Sequence, residues 1–143
     1  MSTNTIIGGI AVLVVLVVGY FIFSQPAVPT ETGPIKIGFT MPLTGEAASY
    51  GESGRAGAEL AIKEINAAGG VNGRMIVATY EDDKCNPTGI SAMQKLVNVD
   101  QVTAVIGPVC SAVAGAAVPV ARTANVPTIL VGASAPGLAG GDD

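Results

Sequence analysis

The 143-residue sequence contains no histidine and no tryptophan, only two cysteines, and seven basic residues against eleven acidic ones. Without histidine, the chain cannot by itself form a serine–histidine or cysteine–histidine catalytic pair. Two cysteines are too few for a four-thiolate metal site. A net charge of −4 without a basic cluster argues against a nucleic-acid partner.

Basic residues are also missing in front of the one long hydrophobic run. Residues 6–23 carry no charge, and as a helix they would extend about 27 Å, close to the hydrocarbon thickness of a bilayer. A cleaved signal peptide is the alternative, but residues 1–5 hold no Lys or Arg, and no clear small-residue cleavage site follows the run. We therefore expect an N-terminal transmembrane helix that stays attached.

The composition changes after this run and divides the chain into four parts. Residues 24–34 are rich in Pro and Thr and have no apolar period, which is typical of a short extended linker. The predicted organisation is a tail over 1–5, a transmembrane anchor or signal segment over 6–23, a linker over 24–34 and a folded domain over 35–143.

Strand and helix candidates alternate from residue 35 onward. The strand candidates are 35–41, 74–80, 102–107 and 126–132. The helix candidates are 52–68, 88–98 and a segment that begins near Ser111. Pro119 lacks the N–H that a helix interior needs, so we expect a kink or an early end there. The alternation predicts an α/β fold with a parallel sheet flanked by helices.

Cys85 and Cys110 each follow a predicted strand. Loops at the carboxyl ends of parallel strands meet at one edge of the sheet, so a disulfide is one interpretation if the two strands are neighbours. Two alternatives remain open: a pair of buried free thiols, and a reactive Cys110 whose thiolate is favoured at a helix N-terminus. The predicted anchor favours the disulfide, because disulfides persist outside the cytosol.

Ser111 and Ser134 follow the third and fourth predicted strands. A helix N-terminus leaves N–H groups free and bears partial positive charge, so a helix that begins near Ser111 suits a ligand carboxylate to which both hydroxyls could donate. Serine is also a preferred helix cap, which by itself would explain Ser111.

A dinucleotide site is a further alternative. Gly51, Gly54 and Gly57 lie between the first strand and its predicted helix, and acidic residues 81–83 follow the second strand. The fingerprint requires G-x-G-x-x-G in a tight turn, and the first spacing here is wrong. We therefore expect no nucleotide cofactor and no Rossmann-type enzyme.

Several segments together resemble the branched-chain amino acid binding proteins, the periplasmic substrate receptors of ABC importers. The stretch "IKIGFTMPLTGEAASYGESGRAGAELAIKEINAAGGVNGR" is similar to the family opening, in which a strand precedes P-L-T-G, an aromatic residue and Gly, and a helix that ends in I-N-A-x-G-G. The segments "YEDDKCNP", "VIGPVCSAVA" and "NVPTILVGASAP" follow in the family order. The resemblance covers about residues 35–138.

The resemblance implies a type I periplasmic binding protein fold with two lobes that close on a ligand, of which this chain would form part of the first lobe. Ser111 matches a family serine after the third strand that helps to hold the ligand's carboxylate. Ala133 and Ser134 match residues that supply backbone groups and a hydroxyl. Tyr50 matches an aromatic residue that lies against the ligand.

The resemblance also bears on the cysteines and on the length of the chain. Cys85 and Cys110 match a disulfide found in some members, which would tie down the loop that presents Ser111. Family members are much longer than this sequence, so we expect a fragment. The pocket for the ligand's side chain and the acidic partner of its ammonium group would come from the missing parts.

The implied function is the substrate-binding component of an ABC-type amino acid importer, not an enzyme, with a branched-chain amino acid or a related small amino acid or amide as ligand. Its partners would be the importer's membrane subunits and, through the N-terminal helix, the membrane, with the domain on the extracytoplasmic side. No metal or other cofactor is expected. The alternative is the extracellular sensor domain of a signalling receptor with the same fold, which a second membrane span and a cytoplasmic domain would indicate.

Overall fold

The structure, a computed structural model, describes residues 32–138. The predicted transmembrane helix over 6–23 lies outside the described residues, as does most of the predicted linker over 24–34. Among residues 32–138, no helix is both long enough and apolar enough to cross a membrane.

Within this range, four parallel strands form one sheet in the order β2–β1–β3–β4. They are β1 (Ile35–Met41), β2 (Ile76–Asp82), β3 (Ala104–Ile106) and β4 (Thr128–Ile129). β1 pairs with β2 over its whole length and with β3 over three residues. The predicted parallel sheet is confirmed, and β1 has its predicted bounds.

β2 begins and ends two residues later than predicted. Val71 and Arg74 pair with each other in a short turn, so Arg74 does not enter the sheet. The side-chain amide of Asn66 donates to the carbonyl of Ile76 and accepts from its N–H, both at 2.8 Å. These contacts hold Ile76, the first residue of the strand, and pairing with Met41 of β1 extends the strand to Asp82.

Three helices connect the strands and flank both faces of the sheet. They are α1 (Ala48–Ala67), α2 (Ile90–Gln94) and α3 (Ser111–Thr123). A 3₁₀ turn at Pro87–Gly89 leads into α2, and a π-helical turn at Lys95–Val99 continues it. α1 begins four residues before its predicted start, because the amide of Ala48 already donates to the carbonyl of Gly45.

α3 continues through Pro119 to Thr123, so the expectation of an early end at Pro119 is wrong. Pro119 and Gly115, the residue four positions before it, are both exposed, so the carbonyl that loses its helical donor can bond to water. The hydroxyl of Thr123 donates to the Pro119 carbonyl at 2.9 Å. The opposite side of the helix is held by burial of small and branched residues, which are Val113, Ala114, Ala117 and Ala121.

The main core lies between α2, α3 and one face of the sheet. Its buried members are Met93, Leu96, Val97, Val102, Val105, Val113, Ala117 and Ala121. Full burial of one Val, Leu or Met side chain stabilises a fold by about 1.5–3 kcal/mol. This core therefore fixes the start of α3 relative to the central strands.

α1 lies on the other face, and Gly51 is its one buried residue. Its C-terminal end is held by Asn66 on β2. In its middle, the Arg55 guanidinium lies 4.9 Å from the ring of Tyr80. Tyr80 in turn stacks on Phe39, with ring centroids 4.8 Å apart. The result is a helix fixed at a few points over one half of the sheet.

Candidate functional site

The loops that follow the four strands lie at the carboxyl edge of the sheet, where ligands bind in open parallel sheets. They span residues 42–47, 83–86, 107–110 and 130–138. Gly107 brings the third of these against β1: its φ is +112°, and a Cβ atom there would lie 2.0 Å from the carbonyl oxygen of Thr40. Only glycine permits so close a backbone approach in this conformation.

Cys85 and Cys110 are joined in a disulfide, with their Cα atoms 5.3 Å apart. The free-thiol and reactive-thiol alternatives are therefore wrong. The two cysteines follow β2 and β3, which are not neighbours, because β1 lies between them. The bond thus spans the end of β1 and connects the loop after β2 to the residue before α3.

Ser111 is the first residue of α3, and Cys110 occupies the cap position, with φ −95° and ψ 131°. Helix capping therefore does not explain the serine. The amides of Val113 and Ala114 donate to the carbonyl of Cys110 at 3.1 and 3.0 Å. The amides of Ser111 and Ala112 are left without an acceptor inside the helix, as is usual for a first turn.

The Ser111 hydroxyl connects two of the loops. Its oxygen accepts hydrogen bonds from the backbone amides of Ser134 at 3.1 Å and Ala135 at 3.2 Å. A serine oxygen has two acceptor positions and one hydrogen. With both acceptor positions occupied, the hydroxyl can act towards a ligand only as a donor. We call Ser111, Ser134 and Ala135 the serine bridge; Ala133 precedes it in the same loop.

Tyr50 lies apart from the serine bridge, in the first turn of α1. It is 72% exposed, and its amide donates to the carbonyl of Ala47 at 3.0 Å. The structure thus brings Ser111 and Ser134 into contact and gives Tyr50 a separate position after β1. Gly51, Gly54 and Gly57 are all inside α1 rather than in a turn before it, so no dinucleotide fingerprint is formed.

Asp82 was not among the predicted site residues, although it forms four hydrogen bonds at this edge. Its Oδ1 accepts from the amides of Leu43 at 2.8 Å, Thr44 at 3.3 Å and Lys84 at 3.0 Å. Its Oδ2 accepts from the Thr44 hydroxyl at 2.5 Å. Burial raises the pKa of the Asp82 carboxyl, but the bonds from Thr44, Leu43 and Lys84 outweigh burial and hold the pKa below its usual value.

Asp83 is the fully buried member of the acidic pair. Its oxygens accept from the amide of Cys85 at 2.9 Å and the hydroxyl of Thr40 at 3.1 Å. Burial raises its pKa, the negative charge of Asp82 adds to this, and the two hydrogen bonds only partly oppose it. Within residues 32–138, no group of three or more acidic or cysteine side chains is arranged to hold a metal ion.

A family model described as periplasmic binding protein matches residues 34–142. The chain belongs to this family. It is similar to the leucine-, isoleucine-, valine-, threonine- and alanine-binding protein of Pseudomonas aeruginosa, with 42% identity over 71% of this chain. It is also similar to Leu/Ile/Val-binding protein homolog 7 of Brucella abortus, with 35% identity over 78% of this chain. The resemblance noted in the sequence is confirmed.

Solved structures of this family match the fold of the chain. The branched-chain amino acid transporter substrate-binding protein LivJ of Streptococcus pneumoniae, in complex with isoleucine, has a TM-score of 0.70 and 42% identity, covering 73% of this chain and 30% of LivJ. A solute-binding protein of an ABC transporter from R. palustris, in complex with benzoate, has a TM-score of 0.62 and 33% identity, covering 68% of this chain and 27% of that protein.

The match covers only part of these relatives. This chain spans 27% of the length of the Pseudomonas aeruginosa protein and 28% of that of the Brucella abortus protein. The residues described here correspond to part of such a protein.

Proposed function

We propose that the chain belongs to the substrate-binding component of an ABC-type amino acid importer, and that it is not an enzyme. Its ligand is a branched-chain amino acid or a related small amino acid or amide. The observation that carries this proposal is the serine bridge at the start of α3, a hydroxyl that can only donate, beside two amides that have no acceptor inside the helix. Relatives that are named as binders of leucine, isoleucine and valine support it.

The serine bridge suits a carboxylate for two physical reasons. The Ser111 hydroxyl and the amides of Ser111 and Ala112 are all donors, and a carboxylate is an acceptor. The first turn of a helix also carries partial positive charge, which favours an anion. In this proposal Ser134 adds its hydroxyl, Ala133 a backbone group and Tyr50 its ring against the ligand.

The ligands in the two solved relatives agree with this chemistry. One relative was solved with isoleucine and the other with benzoate. The group that these two molecules share is a carboxylate. A first-lobe site that binds the carboxylate, with the rest of the pocket supplied by other parts of the protein, is consistent with both.

The proposal includes a location and partners. The domain lies on the extracytoplasmic side, held by an N-terminal helix over residues 6–23, and delivers its ligand to the importer's membrane subunits. The family match and the disulfide support an extracytoplasmic location, because disulfides persist in oxidising compartments. The anchor rests on the length and apolar character of residues 6–23.

Calorimetric titration with amino acids tests the site in the complete product of the reading frame that contains this sequence. A hydrogen bond to a charged group contributes about 1.5–3 kcal/mol, and 1.4 kcal/mol corresponds to about a tenfold change in Kd. Ser111→Ala should therefore weaken binding about ten- to a hundredfold.

Ser91→Ala is the matched control, because Ser91 is an exposed serine in the first turn of another helix. Its hydroxyl donates to the Thr88 carbonyl. This control should leave the affinity unchanged. Equal affinities for the Ser111→Ala protein and the unmodified protein would refute the site. Failure of the unmodified protein to bind any amino acid would refute the proposed ligand class.

A further inference from the structure

The Asp82 side chain accepts three hydrogen bonds from the loop that follows β1, more than any predicted site residue forms with that loop. One carboxylate accepts the amides of Leu43 and Thr44 and also the Thr44 hydroxyl. Leu43 is 39 positions and Thr44 is 38 positions from Asp82 in the sequence. Hydrogen bonds to a charged acceptor are about twice as strong as those between neutral groups.

Pro42 at the start of this loop is buried, but little apolar burial holds the residues that follow it. Leu43 is only half-buried, and Thr44, Gly45 and Glu46 are exposed. The conformation of residues 43–46 therefore depends largely on hydrogen bonds. The strongest of these converge on Asp82, which is itself fixed as the last residue of β2 opposite Met41.

The loop in turn sets the position of the first turn of α1. The amide of Ala48 donates to the carbonyl of Gly45 at 3.2 Å. Gly51 lies directly against the carbonyl of Pro42, and a Cβ atom there would come within 1.8 Å of that oxygen. Tyr50 is the residue before Gly51, and its exposed ring has little packing of its own to hold it.

We propose that Asp82 is a positioning residue: its carboxylate fixes the loop over residues 42–47 and, through that loop, the helix turn that presents Tyr50 at the carboxyl edge of the sheet. The contact of Tyr50 with a ligand rests on the proposed function. The control of the loop by Asp82 does not, so the two can be tested separately.

Amide hydrogen exchange measured by NMR on the 143-residue chain tests the loop. Asp82→Ala should speed exchange of the Leu43 and Thr44 amides about ten- to a hundredfold. The Tyr50 amide should also exchange faster, while the core amide of Val105, which donates to the Pro127 carbonyl, should not change. Asp82→Asn keeps an acceptor for both loop amides and should restore most of the protection.

Glu81→Ala is the matched control, since Glu81 is the neighbouring acidic residue on the same strand and pairs with Lys95 instead of the loop. It should leave exchange at Leu43, Thr44 and Tyr50 unchanged. Unchanged loop exchange in Asp82→Ala would overturn the proposal. Equal acceleration of Val105 and the loop, without rescue by Asp82→Asn, would also overturn it, because Asp82 would then only support overall stability.

Ligand affinity, measured in the complete gene product, tests whether Asp82 also positions Tyr50 for the ligand. Asp82→Ala should weaken amino acid binding, whereas Asp82→Asn should retain most of the affinity. If the loop amides respond but the affinity does not, Tyr50 is not positioned for the ligand, and that part of the proposal is wrong. If the unmodified protein binds no amino acid, the proposed function fails, and the exchange data still decide the role of Asp82 in the loop.

Discussion

The Asn66 side chain bonds both the N–H and the carbonyl of Ile76, as a neighbouring strand would do. Asn66 lies near the end of α1, so these two bonds fix the end of the helix to the start of β2. The tight turn between them is closed by two backbone hydrogen bonds between Val71 and Arg74. One side-chain amide thus holds the residue at which the strand begins.

Asn66→Ala should lower the free energy of unfolding by about 1–3 kcal/mol, because it leaves a partly buried donor and acceptor of Ile76 without their partners. Urea denaturation of the 143-residue chain measures the change. Asn98→Ala, at an exposed position, is the matched control and should have little effect. Equal midpoints for the two variants would show that water replaces the Asn66 amide at no cost.

The two neighbouring aspartates should affect stability in opposite directions as pH changes. The pKa of Asp82 is lower in the folded state than in the unfolded state, so its contribution is present above the ordinary Asp pKa and is lost as pH falls through the folded value. The pKa of Asp83 is raised, so folding is favoured at low pH and this stability is lost as pH rises through the window between the unfolded and the folded values.

Asp83→Asn should therefore be at least as stable as the unmodified chain at pH 7, because it keeps an acceptor for the Cys85 amide and removes a buried charge. The difference should shrink as pH falls toward about 4, the ordinary Asp value. Asp82→Asn should instead lower the free energy of unfolding at pH 7. Urea denaturation at pH 7 and pH 4 measures both, and a destabilised Asp83→Asn at pH 7 would contradict the burial argument.

The sequence predicts Ser111 and Ser134 as site residues and pairs the two cysteines, but it does not reveal that Asp82 binds the loop after β1. Strand and helix candidates come from local periodicity, and the loop residues Leu43 and Thr44 are joined to Asp82 across 39 and 38 positions. Because the predicted strand ended at residue 80, two residues too early, Asp82 was also assigned to a loop. The serine bridge was missed for a similar reason, because the Ser111–Ser134 contact depends on how two loops meet.

At the scale of elements, the disulfide joins a loop to a helix across an intervening strand. The loop after β2 and the start of α3 both lie at the end of β1, and the Cys85–Cys110 bond prevents them from separating there. Local pattern located all four strands, although β3 and β4 are much shorter than the predicted segments 102–107 and 126–132. It did not give the strand order, which determines that the bond spans β1.

Reduction of this disulfide should lower the free energy of unfolding by about 3 kcal/mol, because it releases a loop of about 25 residues in the unfolded chain. Urea denaturation with and without a thiol reductant measures the loss. A Cys85→Ala, Cys110→Ala double variant is the control: its stability should match that of the reduced chain and should not respond to the reductant. An identical response of the variant and the unmodified chain would exclude the disulfide as the cause.

At the scale of the whole molecule, the two faces of the sheet are covered unequally. On one face, α2 and α3 bury a continuous set of side chains against Val105. On the other face, α1 buries only Gly51 within the part of the chain that the structure describes, and Leu60 and Ile129 are 57% and 64% exposed.

The weak attachment of α1 affects the net free energy of ligand binding. A cavity of about 90 Å³ lies between α1 and the sheet, lined by apolar residues that include Phe39, Met41 and Val131. Segments with few buried contacts open locally at low free-energy cost. α1 is therefore the element whose motion a ligand at Tyr50 would have to restrict, and the conformational entropy lost there would reduce the net affinity. Chain that packs on α1 from elsewhere in the protein would remove that cost in advance, and so would strengthen binding without touching the ligand.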